Sequence, residues 1–201
     1  MNLQRSVVAV VLACLGSMTA GAQVPQNRFV EYSAKFLCGV VQIGPAGTSS
    51  SDPRVRPGVY ATSINIHNPQ LPNFPGVSFV KKVVLSSPEG KDLIPPSPFH
   101  KDVLKPDFAE EVDCTIIRAM SGSTAPFIEG FVVLISHPLN FLPPLNELDV
   151  VGVYTVTAPP GPEQSISLEI VPVTPRFIDM PTKAAADKLT QQLLEGVKKE
   201  E

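Results

Sequence analysis

The chain of 201 residues carries 16 Lys and Arg against 19 Asp and Glu, three His, three Cys, 22 Pro and no Trp. A formal charge of −3, with no basic cluster beyond Lys81-Lys82 and Lys198-Lys199, excludes the cationic surface that nucleic acid or anionic lipid requires. So many prolines with so few charges describe strands and stiff loops, not a helical bundle.

Residues 1–22, MNLQRSVVAVVLACLGSMTAGA, read as a signal peptide. Arg5 precedes an apolar stretch from Val7 to Leu15 that is too short to span a bilayer, and Ala20 and Ala22 form an A-x-A cleavage site. Leu12-Ala13-Cys14 loosely resembles a lipidation box, but Val11 and Leu12 do not suit its positions and the apolar stretch before Cys14 is short. Ordinary cleavage before Gln23 is therefore the expectation. It leaves about 180 residues, enough for one domain with a sizeable core. They carry 15 basic against 19 acidic residues, a formal charge of −4, and no transmembrane span. The destination is periplasmic or extracellular, where cysteines pair.

From Phe29 to Ile43, Tyr32, Ala34, Phe36, Cys38 and Val40 alternate with Ser33, Lys35, Leu37 and Gly39. That period of two predicts a strand with the first set facing the core. A Gly/Ser/Pro-rich loop runs from Gly44 to Pro57. Val59 to Asn68 is the cleanest strand, with Tyr60, Thr62, Ile64 and Ile66 on one face and Ala61, Ser63, Asn65 and His67 on the other. Asn68-Pro69 ends it. Val77 to Ser86 is the next strand, with Val77, Phe79, Val83 and Leu85 on one face and Lys81 interrupting them. Since Lys81 and Lys82 point opposite ways, one of them marks an edge or the rim of the core.

Pro88-Glu89-Gly90 signals a turn, and a loop runs to about Lys105. Glu111 to Arg118 alternates again, placing Val112, Cys114 and Ile116 on one face. Phe127 to Ser136 is a near-continuous apolar run, as expected of a strand buried on both faces or in a sandwich core. Asp149 to Thr157 and Ser165 to Val173 complete about seven strands, punctuated by proline clusters at 94–98, 142–144 and 159–162. The expected fold over residues 29–174 is an all-β, immunoglobulin-like β-sandwich. Over 181–199, Thr182 can cap a short amphipathic helix or tail in which Ala186, Leu189, Leu193 and Val197 recur at helical steps.

Cys38 and Cys114 fall on inward faces of separate strands, which predicts a disulfide rather than a redox or metal pair, since no C-x-x-C spacing occurs. The bond would close a loop of about 77 residues, worth about 4 kcal/mol on the chain-entropy account.

Catalytic signals are thin. No G-x-S-x-G turn, phosphate-binding glycine loop or H-E-x-x-H occurs, and no cofactor is expected. His67, His100 and His137 stand singly. His67, beside Asn65 on a polar strand face, is the best candidate to touch a ligand. Glu110, Glu111 and Asp113 form an acidic cluster with Asp107 before it. Glu111 and Asp113 would share a strand face with Cα atoms about 6–7 Å apart. Paired carboxylates can serve glycoside hydrolysis or bind calcium, but no calcium loop pattern is present and a solvated face accounts for them.

In series, Ala34-Lys35-Phe36-Leu37-Cys38-Gly39, Ile64-Asn65-Ile66-His67-Asn68-Pro69, Glu111-Val112-Asp113-Cys114, Gly130-Phe131-Val132-Val133 and Leu148-Asp149-Val150-Val151-Gly152-Val153-Tyr154-Thr155 resemble a set of uncharacterised bacterial exported proteins. The resemblance covers about residues 32–171 and implies export and an immunoglobulin-like fold. It carries no catalytic residue across. The expectation is an exported, non-enzymatic envelope or extracellular module that binds a protein or other surface partner. The alternative is a secreted enzyme or metal-binding protein with a loop site near His67, Glu111 and Asp113. A free sheet edge would favour the first, and a concave pocket uniting His67 with the acidic residues would favour the second.

Overall fold

The computed structural model describes residues 28–41, 57–74, 76–87, 91–136, 148–157 and 166–194. The signal segment with Cys14, the turn at 88–90, His137 and the proline clusters at 142–144 and 159–162 lie outside the described residues.

The fold is all-β, with nine antiparallel strands and two helices among the described residues. In chain order these are β1 (Arg28–Val41), β2 (Gly58–His67), β3 (Val77–Leu85), β4 (His100–Leu104), β5 (Ala109–Asp113), α1 (Cys114–Ser121), β6 (Phe127–Ser136), β7 (Asp149–Thr157), β8 (Ile166–Pro172), β9 (Arg176–Asp179) and α2 (Lys183–Leu194). Hydrogen bonding runs β4-β3-β6-β1-β2-β7-β8, with β5 added to β2 and β9 to β1. Each of the seven segments expected to hold a strand does so. The two further strands, β4 and β9, are only five and four residues long and lack a readable alternation.

β1 is the corner that folds this network into two layers. Val30 to Gly39 pair with β6, whereas Gly39 to Val41 pair with β2. The change of partner occurs at Gly39, whose φ of 114° is closed to most side chains. A Cβ there would stand 2.0 Å from the Pro126 carbonyl oxygen. The bend also reverses the phase of the strand beyond it: Val40, expected in the core, is 43% exposed. Tyr32, Ala34, Phe36 and Cys38, before the bend, are buried as their alternation requires.

The two layers close on one core. Tyr32 and Phe36 of β1, Phe79 and Val83 of β3, and Val132 and Leu134 of β6 meet Ile64 and Ile66 of β2, Val112 of β5 and Val150 of β7. From Val132 to Ser136, β6 is buried on both faces. Its alternate residues Val133 and Ile135 join Phe29 and Val80 in a second cluster beneath Ala186 and Leu189 of α2. The C-terminal segment is thus the cover that makes the apolar run of β6 sensible. Thr182 starts it as expected, its Oγ1 accepting from the Ala185 N–H at 3.1 Å.

The strand expected from Glu111 to Arg118 is corrected. β5 stops at Asp113, and Cys114 opens a helix. Asp113 caps it, accepting from the Ile116 N–H at 2.9 Å, and Gly122 stops it at φ 65°. Cys114, Ile117 and Met120 face the core at three-residue steps. Over so short a span, the alternation Val112-Cys114-Ile116 concealed them. The Cys38–Cys114 disulfide is present, with Cα atoms 5.6 Å apart across 76 residues. Arg118 on the same helix donates to the carbonyls of Cys38, Ala125 and Pro126, tying α1 to the corner of β1.

Candidate functional site

The polar face of β2 points out of the sandwich. Register places Ser63 beside Asp113 and Asn65 beside Glu111 on β5, and His67 beside Asp149 on β7. His67 stands between two carboxylates, with Nδ1 3.3 Å from Asp149 and Nε2 3.4 Å from Asp107. A neutral ring donates to one of them and an imidazolium to both.

Asp107 reaches this position by an uncommon backbone. Lys105 to Phe108 form a turn closed by the Phe108 N–H to the Lys105 carbonyl, with Pro106 second and Asp107 third at φ 61°. Glycine is the usual third residue of such a turn. Asn68 anchors the turn from below. Wholly buried, it donates from Nδ2 to the Leu104 carbonyl at 2.8 Å, and its backbone exchanges hydrogen bonds with Asp107 and Phe108. The Asn-Pro pair, read as a strand stop, is therefore also the support beneath His67. Its hydrogen bonds come from residues about forty positions away, which local pattern does not reveal.

The acidic cluster disperses. Strand alternation sends Glu110 inward to Lys81, while Glu111 stays on the outer face and accepts from Ser63 Oγ at 2.6 Å. Asp113 is committed to the cap of α1. Structure thus brings His67, Asn65 and Glu111 onto one open face and turns Asp113 to other work. Among the described residues, no group of three or more His, Cys, Asp or Glu is placed to hold a metal ion. His100 lies on β4, opposite Lys81 in register and exposed.

A groove of about 370 Å³ opens elsewhere, between the layers, lined by Lys35, Leu37, Tyr60, Tyr154, Glu169 and Val171 among others. It contains none of the four candidate residues. One wall is the second edge of β1, where, among the described residues, β9 and β2 leave the strand unpaired in the middle. Side chains complete the hydrogen bonding: Thr62 Oγ1 both accepts from the Leu37 N–H and donates to its carbonyl, each at 3.0 Å. Tyr154 donates its hydroxyl to the Lys35 carbonyl at 2.9 Å. Burial, aided by the Glu169 carboxylate, raises the Tyr154 phenol above its ordinary pKa.

The remaining sheet edges differ in how they are guarded. β4 and β5 are five residues each, and β9 is four. Charge marks β5 at Glu110, Glu111 and Asp113, and β9 at Arg176 and Asp179. Beyond β4, Ser97 in the proline-rich segment takes the free N–H and carbonyl of Val83, each at 2.9 Å. Lys81, aimed inward from β3, pairs with Asp102 on β4 at 2.7 Å and with Glu110 on β5, bracing the two layers where they open. These are the devices that discourage a sheet from recruiting another strand.

β8 has little of this beyond Pro172 at its end and Glu169, which lines the groove. Among the described residues it pairs only with β7, all seven of its residues are exposed, and its outer face carries Ile166, Leu168 and Ile170 at 72, 61 and 63% exposure. The spacing Ile-x-Leu-x-Ile was in the sequence, but nothing local says that no described layer covers it. No helix among the described residues is long and apolar enough to cross a membrane. The chain matches no protein-family model, no curated protein and no solved structure.

Proposed function

We propose that the protein is an exported, non-enzymatic immunoglobulin-like module of the envelope or extracellular space that binds through a sheet edge. The observation that carries this reading is β8, an exposed apolar edge strand in a molecule that guards its other edges. Backbone groups on such an edge supply affinity and alternate side chains supply selectivity, which is the mode of strand addition. The disulfide and the apolar head of the sequence support the exported setting. The polar face around His67 is less suited to chemistry. Asn65 and Glu111 lie exposed on it, and His67, Glu111 and Asp113 are engaged with neighbours that fix the fold.

The test is site-specific photocrosslinking in cells that produce the full chain. A photoreactive residue in place of Leu168 is expected to give discrete adducts, and one in place of Asn65 to give none. Adducts from residue 65 with none from residue 168 would overturn the reading and shift attention to the His67 face.

A further inference from the structure

We propose that the strand added at β8 is β8 of a second copy, the two chains joining antiparallel about a two-fold axis at Leu168. This inference rests on the reading of β8 as the contact strand. The register with β7 puts Ile166, Leu168 and Ile170 on the outer face and Ser167, Glu169 and Val171 on the inner face. A two-fold axis at Leu168 sets Ile166 opposite Ile170 of the second copy, and Leu168 opposite its own equivalent. The outer face then gains an unbroken apolar ladder.

On the inner face the same register sets Ser167 opposite Glu169 of the second copy. Each hydroxyl faces a carboxylate it can donate to, and each pair occurs twice. Moving the axis one residue later brings Glu169 against Glu169, a like-charge pair that opposes association. Moving it one residue earlier leaves Ile170 without an apolar partner on the opposite strand. The strand is therefore self-complementary in one register, which is what an isologous interface requires. Pro172, which has no N–H to donate, closes the ladder at its end. Across the axis β5-β2-β7-β8 would continue into its symmetry mate as one eight-stranded sheet.

Seven residues of strand make a small interface, so the dimer is expected to be reversible on dilution. Sedimentation equilibrium on the purified full chain should resolve a monomer–dimer equilibrium. Leu168→Lys places two ammonium groups together on the axis and should weaken the dimer at least about tenfold. Because Leu168 is 61% exposed in the single chain, the urea midpoint of the variant should equal that of the native chain at a dilution where both are monomeric. Mixing Ile166→Cys with Ile170→Cys chains should give a covalent heterodimer faster than either chain alone gives a homodimer. A chain that stays monomeric, or a dimer indifferent to Leu168→Lys, overturns the inference. A monomeric chain whose residue 168 still crosslinks a different protein overturns the second-copy inference and leaves the binding reading standing.

Discussion

Thr62 is a polar residue 3% exposed on the inner face of β2, where Ile64 and Ile66 accompany it in the core. Its hydroxyl stands in for a missing strand, serving both backbone groups of Leu37. Thr62→Val keeps the shape and strands both groups in a dry site, so urea unfolding should show a loss of about 1–3 kcal/mol. Lys81 is a second polar residue on an inner face. Burial pulls its pKa down, but the hydrogen bonds and charges of Asp102 and Glu110 together outweigh burial and raise it above the ordinary 10.5. Tyr154 is also raised. The folded chain thus holds both protons to higher pH than the unfolded chain does. Stability from these groups is full below about pH 10 and falls as pH rises through the raised folded values. Urea midpoints taken through the alkaline range should fall in the native sequence, less steeply in Lys81→Arg and less again when Tyr154→Phe is added. A slope unchanged by both substitutions would contradict this account of the two groups.

Elements show which signals survive in a sequence and which do not. The strands with long alternation, β1, β2 and β3, were legible with their inward faces, since a slip would expose the buried face of each, whereas β7 was legible as a strand without its face. β1 lost its phase only at Gly39, where a bend that local periodicity does not encode carries the strand from one layer to the other. α1 was hidden because Cys114 and Ile116 continue the alternation of Val112, while the helix itself depends on caps at Asp113 and Gly122. For the candidate site, the polar face of β2 was legible, but the partners of His67 were not, because Asp107 arrives on a turn held by buried Asn68. α2 offers a direct test of element-level packing. Leu189 is 6% exposed and covers the outer side of β3 and β6. Leu189→Ala should cost about 2–4 kcal/mol in urea unfolding, although the residue lies outside the sandwich core.

At the scale of the whole molecule, protection is unevenly distributed. The sandwich is pinned near its corner by the Cys38–Cys114 bond, braced at one opening by Lys81, and covered on one outer face by α2. Short strands, charges and the Ser97 segment guard most of its edges. β8 keeps an apolar face and an open edge, a combination that costs solubility unless contact is its purpose. Hydrogen–deuterium exchange of the full chain, monitored as its concentration is raised, tests that purpose most directly. The account predicts that amides within residues 166–171 slow with concentration while those of β2 and β5 do not change. Exchange at β8 that stays fast at every concentration, or protection that builds instead on the face of His67, would contradict it.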